Sequence, residues 1–164
     1  MSILGMNGSE FHGLTRQILG SGHRMRFKAC GGSMQPFIQD GDILHVAPLD
    51  GKRIKRGDVL LVEVDEGRLL AHRVVKTGRH NGICTYLIQS DICNSPDGWF
   101  ELKNVLGYVV IVEHGNQRIK LTSITQQWKA RIWVMISPWN QKFYWLPKWF
   151  RYHVRYLLFG GMGE

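Results

Sequence analysis

From Cys30 to Leu121 the chain runs in short apolar stretches broken by turn residues. The stretches are Ile43–Ala47, Val59–Val64, Leu69–Val75, Ile83–Ile88, Val105–Val112 and Arg118–Leu121. Between them lie Asp50-Gly51, Arg56-Gly57-Asp58, Glu66-Gly67, Asn81-Gly82 and Gly115-Asn116, each a turn or hairpin signal. Short strands at this spacing predict a mainly β domain of barrel or sandwich type. The flanks differ. Residues 1–28 are Gly-, Ser- and Arg-containing, with a short helical stretch around Glu10–Leu19, and read as an N-terminal arm. After Thr122 helical periodicity takes over, and Ile124–Ile136 sets Trp128, Ile132, Met135 and Ile136 on one face. A second helix is expected over Pro147–Phe159, opened by proline and stopped by Gly160-Gly161. There Lys148, Arg151 and Arg155 share one face, with Phe150, Val154 and Leu157 opposite. The division is therefore 1–28, an arm; 29–123, a β domain; and 124–164, a helical tail.

Composition sharpens this division. A chain of 164 residues carries one hydrophobic core plus appendages. Its net charge of +8 is unevenly placed. Residues 1–113 hold 13 Lys/Arg against 12 Asp/Glu, whereas residues 114–164 hold 8 Lys/Arg, Glu164 as sole acid, and five of six tryptophans. Trp and Tyr favour the membrane–water interface and Lys/Arg are drawn to anionic headgroups, so the tail is expected to lie against an anionic membrane surface or to pack on the domain. A helix over Pro147–Phe159 is about 20 Å long, too short to span. With neither a transmembrane stretch nor a secretory leader evident, the expected location is peripheral to a membrane or cytoplasmic. Nucleic acid is a weaker partner, because no recognised binding motif accompanies the basic and aromatic residues. Cys30, Cys84 and Cys93 cannot all pair and are expected as buried free thiols. No metal-ligand set or Gly-rich nucleotide loop stands out, so no cofactor is expected.

The candidate chemistry lies in Gly31-Gly32-Ser33-Met34-Gln35-Pro36, followed by Phe37-Ile38-Gln39-Asp40-Gly41-Asp42. A hydroxyl between a glycine pair and a Met-x-Pro turn is open to close approach by an extended peptide, with Gly32, Met34 and Pro36 around it. Serine is a weak nucleophile and needs a base. His72, inside the strand-like run Leu69–Val75, is held by scaffold rather than loop, and neutral imidazole accepts a proton at neutral pH. A third group, a carboxylate, orients such an imidazole. The segment Gln89–Asp97 offers Asp91 and Asp97, six residues apart, and their spacing alone does not choose between them.

Together these pieces resemble the type I signal peptidase superfamily, which includes the LexA-like self-cleaving repressors. The resemblance covers roughly residues 29–112. It rests on the Ser-Met-x-Pro…Gly-Asp box (Ser33, Met34, Pro36, Gly41, Asp42), on His72-Arg73-Val74-Val75, on Asp91 and Asp97, and on Gly107-Tyr108-Val109-Val110. Bacterial signal peptidases and the repressors use a lysine base; the His-Arg-Val arrangement is similar to the archaeal and endoplasmic-reticulum branch, which pairs serine with histidine. That branch reads Gly-Asp-Asn with a second aspartate six residues on, which implies Asp97 as the triad carboxylate with Asp91 in support. Three departures stand out. Gly31 replaces a hydroxyl residue that helps bind the oxyanion, Ser90 and Ile92 flank Asp91 in place of Gly and Asn, and the membrane span of most members is not evident.

The resemblance implies a signal-peptidase/LexA-like β-barrel-type catalytic domain that cleaves a leader or signal peptide from a precursor. Ser33 would act as nucleophile and His72 as base, with a small pocket near Met34 favouring small residues at the cleaved bond. Self-cleavage is not expected, because the chain has no Ala-Gly dipeptide and Cys30-Gly31 lies too close to Ser33 to fold back. The competing expectation is a non-catalytic β module that keeps the family shape and binds peptide, membrane or a partner protein.

Overall fold

The computed structural model describes residues 8–64, 67–93 and 95–136. These form an antiparallel sheet of eight strands with two α-helices: α1 (Gly8–Gly20), β1 (Met25–Lys28), β2 (Ile43–Ala47), β3 (Val59–Val64), β4 (Arg68–His80), β5 (Ile83–Gln89), β6 (Gly98–Glu101), β7 (Val105–His114), β8 (Gln117–Lys120) and α2 (Ile124–Ile136). The sheet runs β1-β2-β7-β3-β4-β5-β6, with β8 also on β7. β7 is long enough to pair β2 along one edge and to share the other between β3 and β8.

Both faces of the central strands are buried. In β3, Val59 and Leu61 belong to one apolar cluster, with Leu44, Val46, Val109 and Val112. Leu60 and Val62 belong to a second, with Val74, Tyr86, Ile88 and Val105. Successive side chains point to opposite faces, so a strand covered on both sides reads as a continuous apolar run, and Val-Leu-Leu-Val is such a run. The β4–β5 hairpin turns through Asn81 (φ 49°) and Gly82 (φ 81°). Two successive positive φ values fit the twist of flanking strands, which is why Asn-Gly marks the turn.

Residues 8–28, expected as an arm, are built into this unit. α1 buries Phe11, Thr15 and Leu19, and Phe11 meets Phe27 of β1 edge-to-face at 5.3 Å between ring centroids. On its other side His12 lies 2.9 Å from Glu63 of β3, which Arg16 also pairs. Partial burial opposes ionisation of Glu63, but these two partners outweigh it and hold the carboxyl below its ordinary range.

α2 shows which of its residues pack inward. The helix spans Ile124–Ile136 as anticipated, but Trp128 and Ile132 are exposed, at 59% and 39%, while Ala130 and Val134 are buried. Ala130 packs against Gly57, and a contact that close has no room for an indole. The expected Pro147–Phe159 helix lies outside the described residues. Among the described residues no helix is long and apolar enough to cross a membrane. The cysteines also depart from expectation. Cys30, Cys84 and Cys93 are free but exposed. Cys84 sits near the β4–β5 hairpin tip, beyond both clusters, and Cys30 and Cys93 lie on loops.

Candidate active site

The Ser33 segment forms a compact turn whose apolar residues anchor it. Met34, Phe37 and Ile38 are buried in the first cluster, and the Phe37 and Ile38 amides both donate to Met34 O at 3.0 Å. The Gln35–Pro36 peptide is cis. On the upstream side the Ala29 amide donates to Asp42 O at 2.7 Å and the Gly41 amide to Ala29 O at 3.0 Å. Asp42, 4% exposed, accepts from the Gln39 amide at 2.7 Å and from His114 Nδ1 at 2.7 Å. Residues 29–42 are thus closed on themselves at both ends, and Ser33 sits half-buried at the crest.

His72 comes to Ser33 from β4. It shares a strand face with Leu70 and Val74 of the second cluster, whereas Leu69, Ala71 and Arg73 point the other way. The residue is 7% exposed. Its Nε2 lies 3.0 Å from Ser33 Oγ and its Nδ1 lies 2.8 Å from Asp97 Oδ2. A carboxylate only accepts, so Nδ1 carries the hydrogen and donates it to Asp97. In the neutral imidazole Nε2 is then the free lone pair, and the Ser33 hydroxyl donates to it. Asp97 is set in place by the start of β6, its own amide donating to Ile88 O at 2.9 Å beside the Ile88–Gly98 pair.

Asp91 is turned away from the imidazole. It is 7% exposed and accepts two hydrogen bonds from Arg73, Nε to Oδ1 and Nη2 to Oδ2, each 2.7 Å. Arg73 is 1% exposed, donates Nη1 to Gly57 O at 2.9 Å, and lies 4.3 Å from the centroid of the Phe37 ring. The pair therefore ties β4 to the Ser33 turn and to the loop after β5. That loop in turn donates the Ile92 amide to Ser33 O at 3.2 Å. The spacing of six residues puts one aspartate on His72 and the other on its buried neighbour Arg73.

Beside Ser33 and His72 opens a cavity of about 100 Å³, walled by Phe27, Met34, Leu44, Leu61, Leu69 and Ala71. Of the three residues expected around the substrate, Met34 lines it, while Gly32 and Pro36 shape the turn without facing the cavity. One edge of β4 borders it too. β3 pairs Arg68–Arg73, and β5 pairs β4 only from Arg73 onward. Residues 68–72 therefore lack a strand on that side among the described residues.

Arg73, named in the sequence only as part of the His-Arg-Val motif, was given no role although it left a signal: a guanidinium inside the apolar run Leu69–Val75 demands a buried partner. Among the described residues no three His, Cys, Asp or Glu side chains are grouped to hold a metal ion. The chain matches no protein-family model and no curated protein.

Proposed function

We propose that the protein is a serine endopeptidase of signal-peptidase type that removes a leader or signal peptide from a precursor. The observation that carries this reading is the unbroken hydrogen-bonded chain from Ser33 Oγ through both imidazole nitrogens of His72 to Asp97. Three side chains from a turn, a strand and a strand start have no packing reason to converge in that order, and a nucleophile needs that order.

In the proposed reaction Ser33 Oγ bonds to the scissile carbonyl carbon while its proton passes to His72 Nε2 and the carbonyl π pair moves onto oxygen. The resulting imidazolium is stabilised by Asp97. When the tetrahedral adduct collapses, the C–N bond breaks and His72 gives its proton to the leaving amine, which leaves an acyl ester on Ser33. A water molecule repeats the sequence, with His72 again taking and returning the proton, and frees the carboxyl product and the serine.

The edge of β4 at residues 68–72, unpaired among the described residues, supports binding of the precursor as an added strand, held by main-chain hydrogen bonds. The apolar cavity supports preference for a small apolar side chain next to the cleaved bond. Exposed Trp128 and Ile132, flanked by Lys129 and Arg131, support attachment of the tail to an anionic membrane surface.

A library of quenched fluorescent decapeptides with small residues about the central bond tests the reading. Wild type is expected to cleave members of it, and Ser33→Ala and His72→Ala are each expected to abolish cleavage while keeping wild-type thermal unfolding. Cleavage that survives either replacement removes the proposal.

A further inference from the structure

Attack on a carbonyl puts negative charge on its oxygen, and serine hydrolysis is fast only where fixed donors meet that charge. Around Ser33 the source of those donors is unusual. Gly31 has φ +90°, a conformation that side chains rarely adopt, so a hydroxyl residue is not readily accommodated there. The Gly31 amide is also spent, donating to Asp40 Oδ1 at 2.7 Å. Residue 31 therefore offers neither a side-chain nor a main-chain donor. The Ser33 amide has no acceptor among the described residues and is free for one hydrogen bond to the oxyanion.

We propose, resting on the serine-peptidase reading above, that the Gln35 side-chain amide is the second oxyanion donor. The Gln35 main-chain amide donates to Gly32 O at 3.1 Å, and this turn brings residue 35 back over residue 32. Its side chain then lies along Gly32. A Cβ placed on Gly32 would stand 3.1 Å from Gln35 Nε2 and 3.3 Å from Cδ. The absence of a side chain at residue 32 is what leaves the carboxamide its place, one residue from the nucleophile. Gln35 is exposed, and its Nε2 donates to no described residue. A peptide bound across this face would exclude water, which raises the worth of both donors. When Ser33 Oγ bonds to the carbonyl carbon and its proton moves to His72, the oxygen that receives the π pair accepts from Ser33 N–H and Gln35 Nε2–H. Both bonds relax when the adduct collapses. Carboxamide is the fitting chemistry here, because it donates without a proton to lose and without a charge that would bind a ground-state carboxylate.

The test uses the full chain and the same decapeptide library with Gln35→Met, Gln35→Glu and Ser33→Ala. Methionine keeps the length and packing of the side chain but has no donor; glutamate keeps the shape and adds repulsion. Loss of one such donor is worth about 10²-fold in kcat. Gln35→Met is expected to lose about that much with KM within threefold of wild type, and Gln35→Glu to lose more. Affinity for a peptide aldehyde, whose adduct with Ser33 carries the oxyanion, is expected to fall in parallel, while affinity for the matching peptide alcohol stays unchanged. Ser33-dependent cleavage with Gln35→Met at wild-type kcat overturns this inference and leaves the peptidase reading standing. An aldehyde and an alcohol weakened equally would also overturn it, since that marks lost packing. No Ser33-dependent cleavage of any member contradicts the peptidase reading itself.

Discussion

Replacing Asp91 by alanine strips the carboxylate from a guanidinium that is 1% exposed. Arg73 would keep its bond to Gly57 O and its place over the Phe37 ring, but would lose two charge-assisted hydrogen bonds of 2.7 Å. An uncompensated buried charge of this kind costs about 3–5 kcal/mol. That is a large share of the roughly 5–15 kcal/mol that holds a domain folded. At about 3 °C per kcal/mol for a chain of this size, thermal unfolding is expected to fall by about 10–15 °C. Asp97→Ala removes a carboxylate whose side chain is 26% exposed and whose partner opens onto the cleft, so its stability cost is about 1 kcal/mol. Its effect on cleavage, in contrast, is expected to be on the order of 10³–10⁴-fold, because the imidazole loses the group that fixes its tautomer and stabilises its charged form. Urea and thermal unfolding of the two variants, with cleavage rates taken where both remain folded, separate the roles. Replacing the pair together, Arg73→Met with Asp91→Leu, is expected to recover most of the stability lost in Asp91→Ala. Equal unfolding shifts for the two aspartate variants would refute the assignment. So would an active Asp97→Ala beside a folded but inactive Asp91→Ala.

The clasp of α1 on β3 carries a pH dependence. Glu63 has a lowered pKa in the folded protein, so its contribution is complete above the ordinary glutamate value of about 4.3 and is lost as pH falls through the lowered one. Wild type and Glu63→Gln are therefore expected to differ in thermal stability at pH 6, with the difference shrinking as pH falls below the ordinary glutamate value; a difference that does not change with pH argues against it. For the tail, flotation with anionic liposomes is expected for the full chain and not for a variant ending at Ser123. If both float alike, residues 124–164 are not the attachment.

Much of the sheet was legible because the alternation of apolar runs and glycine turns is a local signal. β2 and β3 begin and end where the apolar runs do, and the Asn81-Gly82 and Gly115-Asn116 turns close the hairpins they mark. β1 and β6 were missed. Each has four residues, and β1 pairs charged Arg26 and Lys28 with Met25 and Phe27, a pattern too short to stand out from a loop. Their places are set by partners distant in the chain. The site divides the same way. The types of Ser33, His72 and the two aspartates could be read from the chain, but which aspartate meets the imidazole depends on how the loop after β5 turns around Arg73. Gln35 could not be singled out at all, since its proximity to Gly32 arises from the fold of the turn. Which residues of α2 pack inward was not legible for a related reason. Helical periodicity groups the bulky residues, but the Gly57 turn accepts only the small Ala130.

Because the hydroxyl and the imidazole are joined at 3.0 Å, they are expected to act as one unit rather than as two independent contributors. Residual cleavage rates for Ser33→Ala, His72→Ala and the double variant put this to the test. The three should fall to the same low floor, since losing either member already disables the other. A double variant slower than both single variants by the product of their separate effects would mean that the two groups work apart, and the proposed mechanism would not stand.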